Sequence, residues 1–292
     1  MTFYLGIDAG GSNCRSRLID TNGTIIGTGQ TGPANARIGV DMLYATLRDA
    51  ADQAIAAAAL DDAQVATIYG GMGIAGISRP GVREKLAALD FPFASVAYET
   101  DSVIANMGAH GGADGAILVI GTGSIAQVRV GAENFSIGGY GFPISDEGSG
   151  AALGLSAMRH ALRALDGRSQ RTPLSIAVSQ RFSHDTARAV SWMDSAMPHD
   201  YATFAPLVMD YAEANDPIAR SIVEGAAQHI EQFIETIFAR RAPRCALAGG
   251  LSQRIRPWLR ARTAARLSEA LGDPLDGALL LAGFTASAPR HR

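Results

Sequence analysis

Four short stretches of this chain combine glycines with acids or hydroxyls, each where an apolar segment ends or a helix begins. The first is Asp8-Ala9-Gly10-Gly11-Ser12-Asn13, directly after the apolar run Phe3 to Ile7. Glycines let backbone approach phosphate oxygens closely, and Ser12 and Asn13 add donors. A carboxylate beside such a loop suits a Mg2+ ion, usually through water. A tight hairpin with an ordinary turn aspartate accounts for the same residues without any ligand. Gly121-Thr122-Gly123-Ser124 repeats the design after the apolar run Ala116 to Ile120. Two such loops are more informative than one, because together they suit a triphosphate held from both sides. The third stretch, Phe142 to Gly150, carries the adjacent carboxylates Asp146 and Glu147. Helix capping explains one acid. It explains less well the preceding Gly138-Gly139-Tyr140-Gly141, a backbone built to approach a ligand. The fourth, Gly249-Gly250-Leu251-Ser252, is either a plain strand-to-helix turn or bare backbone for an adenine ring. Asp101 stands apart, after a strand and before a helix. It is either a helix cap or a general base at a strand's C-terminal end, where α/β sheets place their sites.

Other chemistries are excluded by what is missing. Lys85 is the sole lysine and no Gly-Lys pair exists, so a Walker-type phosphate loop is ruled out. Phosphate must be met by backbone N–H groups, a metal ion or arginine. Cys14 and Cys245 lie too far apart in sequence for a CxxC redox pair or a disulfide framework. The histidines do not cluster, no HExxH occurs, and no GxSxG elbow exists for a hydrolase. Of 292 residues, 47% are apolar and 18% charged, which supports an ample core and argues against disorder. The formal net charge of −3 and the absence of a basic run argue against nucleic-acid or anionic-membrane partners. The N-terminus reaches Asp8 too soon for a secretory signal, and Ala278 to Ala286 is too short to span a bilayer. A cytoplasmic location is expected.

The elements that must position these residues follow a repeated plan. Phe3 to Ile7, the glycine turn, Cys14 to Asp20, Asn22-Gly23 and Thr24 to Gly29 read as a strand meander. Ala116 to Ile120, Ile125 to Val130 and Phe135 to Ile137 read the same way, which suggests duplication. Between them lie a helix over 40–59, a buried strand over 65–73 and a strand over 94–98. Thr100 or Asp101 caps the helix that follows. The second half is mainly helical, with helices expected over 150–165, 174–182, 184–193, 201–215 and 217–240. A strand at 245–248 precedes helices over 257–271 and 277–286. Strands alternating with helices give an α/β class.

Taken in order, these motifs resemble the actin-like ATPase domain superfamily. Within it the chain resembles the N-acetylglucosamine kinase and BadF/BadG/BcrA/BcrD ATPase group, from Gly6-Ile7-Asp8 to Gly277-Ala278-Leu279. It most resembles bacterial glucosamine kinases, through Phe142 to Gly150, Thr172-Pro173-Leu174, and Pro198 with Asp200-Tyr201. The resemblance implies two ribonuclease-H-like, actin-type domains with an interdomain cleft. The first spans 1–107, joined by a C-terminal helix over 275–288, and the second spans 108–274. It implies ATP and Mg2+ as cofactors. Asp8, Gly10, Gly11, Ser12 and Asn13 would form the first phosphate loop, with Asp8 near the metal through water. Gly121, Thr122, Gly123 and Ser124 would form the second, and Gly249 and Gly250 would border the adenine. Asn35, Gly139, Tyr140, Gly141 and Asp146 would contact an amino sugar, and Asp101 would be the catalytic base at its 6-hydroxyl. A homodimer is implied as well. Glucosamine and N-acetylglucosamine both remain open as substrate, as does the phosphoryl donor. An ATPase switch acting on a partner enzyme, and a nucleotide-binding regulator without catalysis, are the rival classes. Iron–sulfur activators of this group need paired cysteines that Cys14 and Cys245 do not supply.

Overall fold

A computed structural model describes residues 1–11 and 13–285. The chain divides into two compact units. One is Met1–Ala113 together with the segment from Ala270 onward, and the other is Asp114–Glu269. A boundary at 107/108 would cut the helix Asp101–His110, so the division falls after that helix ends.

The first unit is built on a five-stranded sheet. Strands β1 (Phe3–Ala9), β2 (Cys14–Ile19) and β3 (Ile25–Thr31) form an antiparallel meander. Strands β4 (Ile68–Ile74) and β5 (Ser95–Glu99) add to it in parallel, giving the order β3-β2-β1-β4-β5. Helix α1 (Val40–Ala57) covers one face through Leu43, Leu47, Ala50, Ala51 and Ala54. The Ser16 hydroxyl, buried in that interface, donates to the Ala50 carbonyl at 2.6 Å. Two short helices, α2 (Asp62–Val65) and α3 (Val82–Ala87), punctuate the connections. Helix α4 (Asp101–His110) and a helix from the end of the chain pack together over the other face. Leu5, Ile7, Leu18, Leu43, Leu47, Ile68 and Met72 form the fully buried centre.

The second unit repeats the meander. Strands β6 (Gly115–Ile120), β7 (Ser124–Val130) and β8 (Glu133–Gly138) are antiparallel, and β9 (Cys245–Ala248) lies parallel to β6. Five helices follow β8: α5 (Gly150–Leu165), α6 (Pro173–Gln180), α7 (Thr186–Met193), α8 (Pro198–Ala202) and α9 (Ala205–Glu213). Helix α10 (Pro217–Ala239) buries Ile230, Phe233, Ile234 and Ile237 in the core. Short helices α11 (Ser252–Ile255) and α12 (Ala261–Ala264) follow β9, and α13 (Pro274–Leu281) closes the first unit.

Four helices differ from expectation, each for a local reason. The expected C-terminal helix over 277–286, or 275–288 as the resemblance implied, is Pro274–Leu281; it stops before Gly283, whose backbone is left-handed at φ 92°, and positions 286–288 lie outside the described residues. The span 201–215 is two helices, because Pro206 has no N–H to continue the first and instead occupies the opening turn of the second. Helix α7 begins at Thr186 because Ser183 and His184 both have left-handed backbones, at φ 56° and 57°, and Asp185 is the cap. The span 257–271 holds only a 3-10 turn and α12. Its continuation runs beside β9 instead, where the Ser268 N–H donates to the Cys245 carbonyl at 2.9 Å.

Candidate functional site

In the first unit, the candidate residues gather at one end of the sheet. Asp8 on β1 is level with Arg15 on β2 and Gly73 on β4, and Gly73 is level with Glu99 on β5. The chain turns from β1 to β2 through a tight loop closed by the Gly10 N–H donating to the Asn13 carbonyl at 3.0 Å. Ser12 lies outside the described residues. Asp101 opens α4 two residues past Glu99, and the Thr100 hydroxyl caps that helix by accepting from the Val103 N–H. The helix approaches closely because Gly73 has no side chain; Ile104 of α4 fills that space.

The electrostatics follow from this placement. The Asp101 carboxyl is held above the ordinary carboxylate range, first by burial and then by the negative charge of Asp8. Its Oδ1 accepts from the Ser102 N–H at 2.9 Å, which only partly offsets the burial. Asp8 pairs with the Arg15 guanidinium at 2.6 Å. The Arg15 Nε is buried and has no hydrogen-bond partner. Arg15 was not among the expected site residues. Its signal in the sequence is its position across the four-residue turn from Asp8, in a chain with one lysine.

Asn35 reaches the same end through backbone. The Ala34 N–H donates to Gly10, the Ala36 N–H to Ala75 and the Ala75 N–H to Ala9, at 2.9–3.0 Å. Its Oδ1 is engaged by the Arg37 N–H at 2.9 Å, capping a 3-10 turn over Ala36–Ile38.

The second unit assembles the other candidates. Gly121 and Thr122 offer their carbonyls to the N–H groups of Gly150 and Ala151, at 2.8 and 3.1 Å. The glycine loop thus satisfies orphan donors at the start of α5, so those N–H groups are committed to the loop. The Ser124 hydroxyl is likewise committed: it is buried and donates to the Glu147 carbonyl at 2.8 Å. Asp146 has a left-handed backbone at φ 66°, and a Cβ on Gly123 would meet its carboxylate at 3.0–3.1 Å. The Asp146 carboxyl is also raised, chiefly by burial. This acid lies against the second loop, where its Oδ1 accepts from the Ser124 N–H at 3.4 Å, a contact that the resemblance did not announce. Tyr140 is 84% exposed. Gly249 packs on the end of β6, where the Leu251 N–H donates to the Ile120 carbonyl at 3.0 Å, while Gly250 leaves its backbone face open.

These surroundings suit phosphate and one metal. Mg2+ is usually held by one or two carboxylates plus substrate phosphates, and Asp8 is the carboxylate beside the first loop. Among the described residues no three His, Cys, Asp or Glu side chains converge as a metal-ligating group. Both cysteines are buried, their thiols pushed up to about 11 at Cys14 and about 12 at Cys245 by burial. Thiols so protonated are poor nucleophiles and poor metal ligands. No helix among the described residues is long and apolar enough to cross a membrane.

A family model described as the BadF/BadG/BcrA/BcrD ATPase family matches residues 5–282. The chain is 35% identical over 283 residues to a Vibrio cholerae protein named glucosamine kinase GspK, covering 97% of this chain and 96% of that one. A crystal structure of a putative N-acetylglucosamine kinase from Chromobacterium violaceum superposes with a TM-score of 0.87 at 31% identity, covering 97% and 99% of the two chains. A ROK family glucokinase from Streptomyces griseus, solved with glucose and AMPPNP, shares the fold at a TM-score of 0.54 and 18% identity, covering 96% and 98%.

Proposed function

The chain belongs to the BadF/BadG/BcrA/BcrD ATPase family, and we propose that it is an ATP-dependent amino-sugar kinase that phosphorylates glucosamine at the 6-hydroxyl. The observation that carries this reading is the half-buried Asp101, its carboxyl raised by burial and by Asp8, beside a glycine loop at one end of the first sheet. A base with a raised pKa takes a proton more readily, and the sheet end is where a phosphate loop and a sugar hydroxyl can meet. The 35% identity to a protein named glucosamine kinase supports the same substrate.

The chemistry is positioning and charge neutralisation. The sugar 6-oxygen attacks the γ-phosphorus, the new O–P bond forms as the bond to the β-phosphate oxygen breaks, and ADP leaves. Asp101 accepts the hydroxyl proton. The reading assigns both glycine loops to ATP phosphates, through the backbone N–H groups of Gly11, Thr122 and Gly123, while the Gly10 N–H closes the first turn on the Asn13 carbonyl. Mg2+, when bound at Asp8, neutralises phosphate charge. Arg15 then has phosphate oxygens as an alternative to Asp8, and its unpartnered Nε gains an acceptor. Asn35, Asp146 and the Gly139-Tyr140-Gly141 segment orient the sugar, and Gly250 borders the adenine. A homodimer belongs to the same reading, and light scattering tests it.

N-acetylglucosamine is the second reading, favoured by the exposed Tyr140, which suits an apolar wall for a methyl group. Coupled-enzyme kinetics with a panel of sugars separates the two. The expected order of kcat/KM is glucosamine above N-acetylglucosamine, with glucose below glucosamine because it lacks the amine. A higher value for N-acetylglucosamine overturns the glucosamine assignment. Slow hydrolysis indifferent to every sugar overturns the kinase and leaves an ATPase switch.

A further inference from the structure

Behind the second glycine loop, helices α5 and α10 line a cavity of about 290 Å³ that none of the proposed nucleotide or sugar residues enters. Gly225 makes room for it. The residue sits inside α10, where glycine is a poor helix former, and a Cβ there would meet no atom within 4 Å outside the helix's own backbone. The polar lining is Glu147, Ser156, His160, Ser221 and His229, and no lysine or arginine lines it. A phosphate therefore has no cation to meet, and a carboxylate is the one full charge available. A metal is no better served, since no three potential ligands converge among the described residues.

His160 adds an independent observation. Its Nδ1 is buried and has no hydrogen-bond partner. Burial, and then the charge of Arg163, hold its pKa below the usual histidine value, so the ring is neutral near pH 7. An unsatisfied buried nitrogen is costly. Turning the ring toward the cavity relieves that cost if a ligand hydroxyl or amine is there to meet it.

The cavity is also wired to the second loop. Glu147 is one of the lining residues; its Oε2 accepts from the Ser145 hydroxyl at 3.4 Å, and its carbonyl accepts from the Ser124 hydroxyl at 2.8 Å. Its neighbour Asp146 braces Gly123.

The geometry points to a second ligand site for a small hydroxylated amine, with Glu147 meeting the ammonium and the imidazoles and serines meeting hydroxyls. Occupancy bears on the second glycine loop through the Glu147 carbonyl. An amino sugar and a free amino alcohol share this chemistry.

The test is titration calorimetry on the full chain, with glucosamine, ethanolamine and N-acetylglucosamine as separate probes and a non-hydrolysable ATP analogue present. Wild type should bind one more equivalent of amine than Gly225→Leu, which fills the cavity with a good helix former. Kinase activity of that variant at saturating substrates should stay within about twofold of wild type. Glu147→Gln should weaken the extra equivalent at least tenfold and serves if Gly225→Leu does not fold. N-acetylglucosamine, with no charged amine, should not fill the cavity. Extra binding of glucosamine alone identifies an amino sugar; extra binding of ethanolamine alone identifies an amino alcohol. Either supports the site. Equal stoichiometry in wild type and both variants overturns it. Because the readout is a difference in binding, it holds even if the chain proves not to phosphorylate glucosamine.

Discussion

Gly249 and Gly250 are neighbours in sequence, yet substituting them should have opposite effects. Gly249 has φ 89°, and a Cβ built on it would lie 2.4 Å from the Ile120 carbonyl oxygen. Real Cβ atoms essentially never come nearer than 3.0 Å, so Gly249→Ala forces the turn or the end of β6 to move. A left-handed backbone costs an L residue about 1–2 kcal/mol, and overpacking adds about 1–3 kcal/mol. A loss of about 2–5 kcal/mol lowers Tm by roughly 5–15 °C for a unit of this size. Gly250 has nothing within 4 Å of the same construction. Gly250→Val should therefore leave Tm within about 2 °C, while its side chain occupies the surface proposed for the adenine. An affinity loss of tenfold or more, about 1.4 kcal/mol, is expected for a non-hydrolysable ATP analogue. Scanning calorimetry reads the first effect and titration calorimetry the second. Wild-type affinity in Gly250→Val would refute the placement of the nucleotide, and an unchanged Tm in Gly249→Ala would refute the packing argument.

Asp101→Asn keeps the shape but cannot take the proton, so kcat should fall ~10²–10⁴-fold with ATP affinity nearly unchanged; a near-normal kcat removes Asp101 from that role. In wild type the acid limb of the kcat profile should sit above the ordinary aspartate range, because the Asp101 carboxyl is raised. The same shift has a stability consequence. The fold favours the protonated form, so this group's contribution is full below its unfolded pKa and is lost as pH rises through its folded value. Melting curves from roughly pH 4 to pH 7 should show wild type losing ground to Asp101→Asn. Asp8→Ala should weaken Mg2+-dependent turnover without unfolding the chain, since its partly exposed pair with Arg15 is worth at most about 1 kcal/mol. Full activity per folded molecule with a lowered Tm would make Asp8 an ordinary turn residue. Arg15→Met should raise the KM for ATP; a variant that loses only thermal stability would confine Arg15 to packing and pairing.

The two meanders were legible because their signals are local. Apolar runs such as Phe3 to Ile7 stop at glycine turns, and the register of Asp8 opposite Arg15 follows once the turn is fixed. Residue type narrowed the cap to Thr100 or Asp101, and the fold assigns it to Thr100. What the sequence hid was set by distant partners. The stretch after Trp258 reads as helix until β9 offers it an edge. Asp146 looks like a ligand residue, and only the fold brings its carboxylate to Gly123. Ser124 looks like a phosphate donor, and only burial shows its hydroxyl spent on Glu147. The orphaned nitrogens of Arg15 and His160 have no signature in one dimension, because an unmet hydrogen bond is a property of surroundings.

Helix α13 has a consequence for synthesis. Gly6 on β1 and Gly71 on β4 are bare where Leu275, Ala278 and Leu279 pack on them, and Arg17 on β2 waits for Asp273 and Asp276 at 2.6 and 2.7 Å. Those partners leave the ribosome after the whole of Asp114–Glu269 has been made. The second unit is contiguous and can complete its core as it emerges, but the first, although begun earlier, must hold an open apolar face until α13 emerges. Of the two units, the one begun first is finished last, and it is the one that carries Asp8 and Asp101.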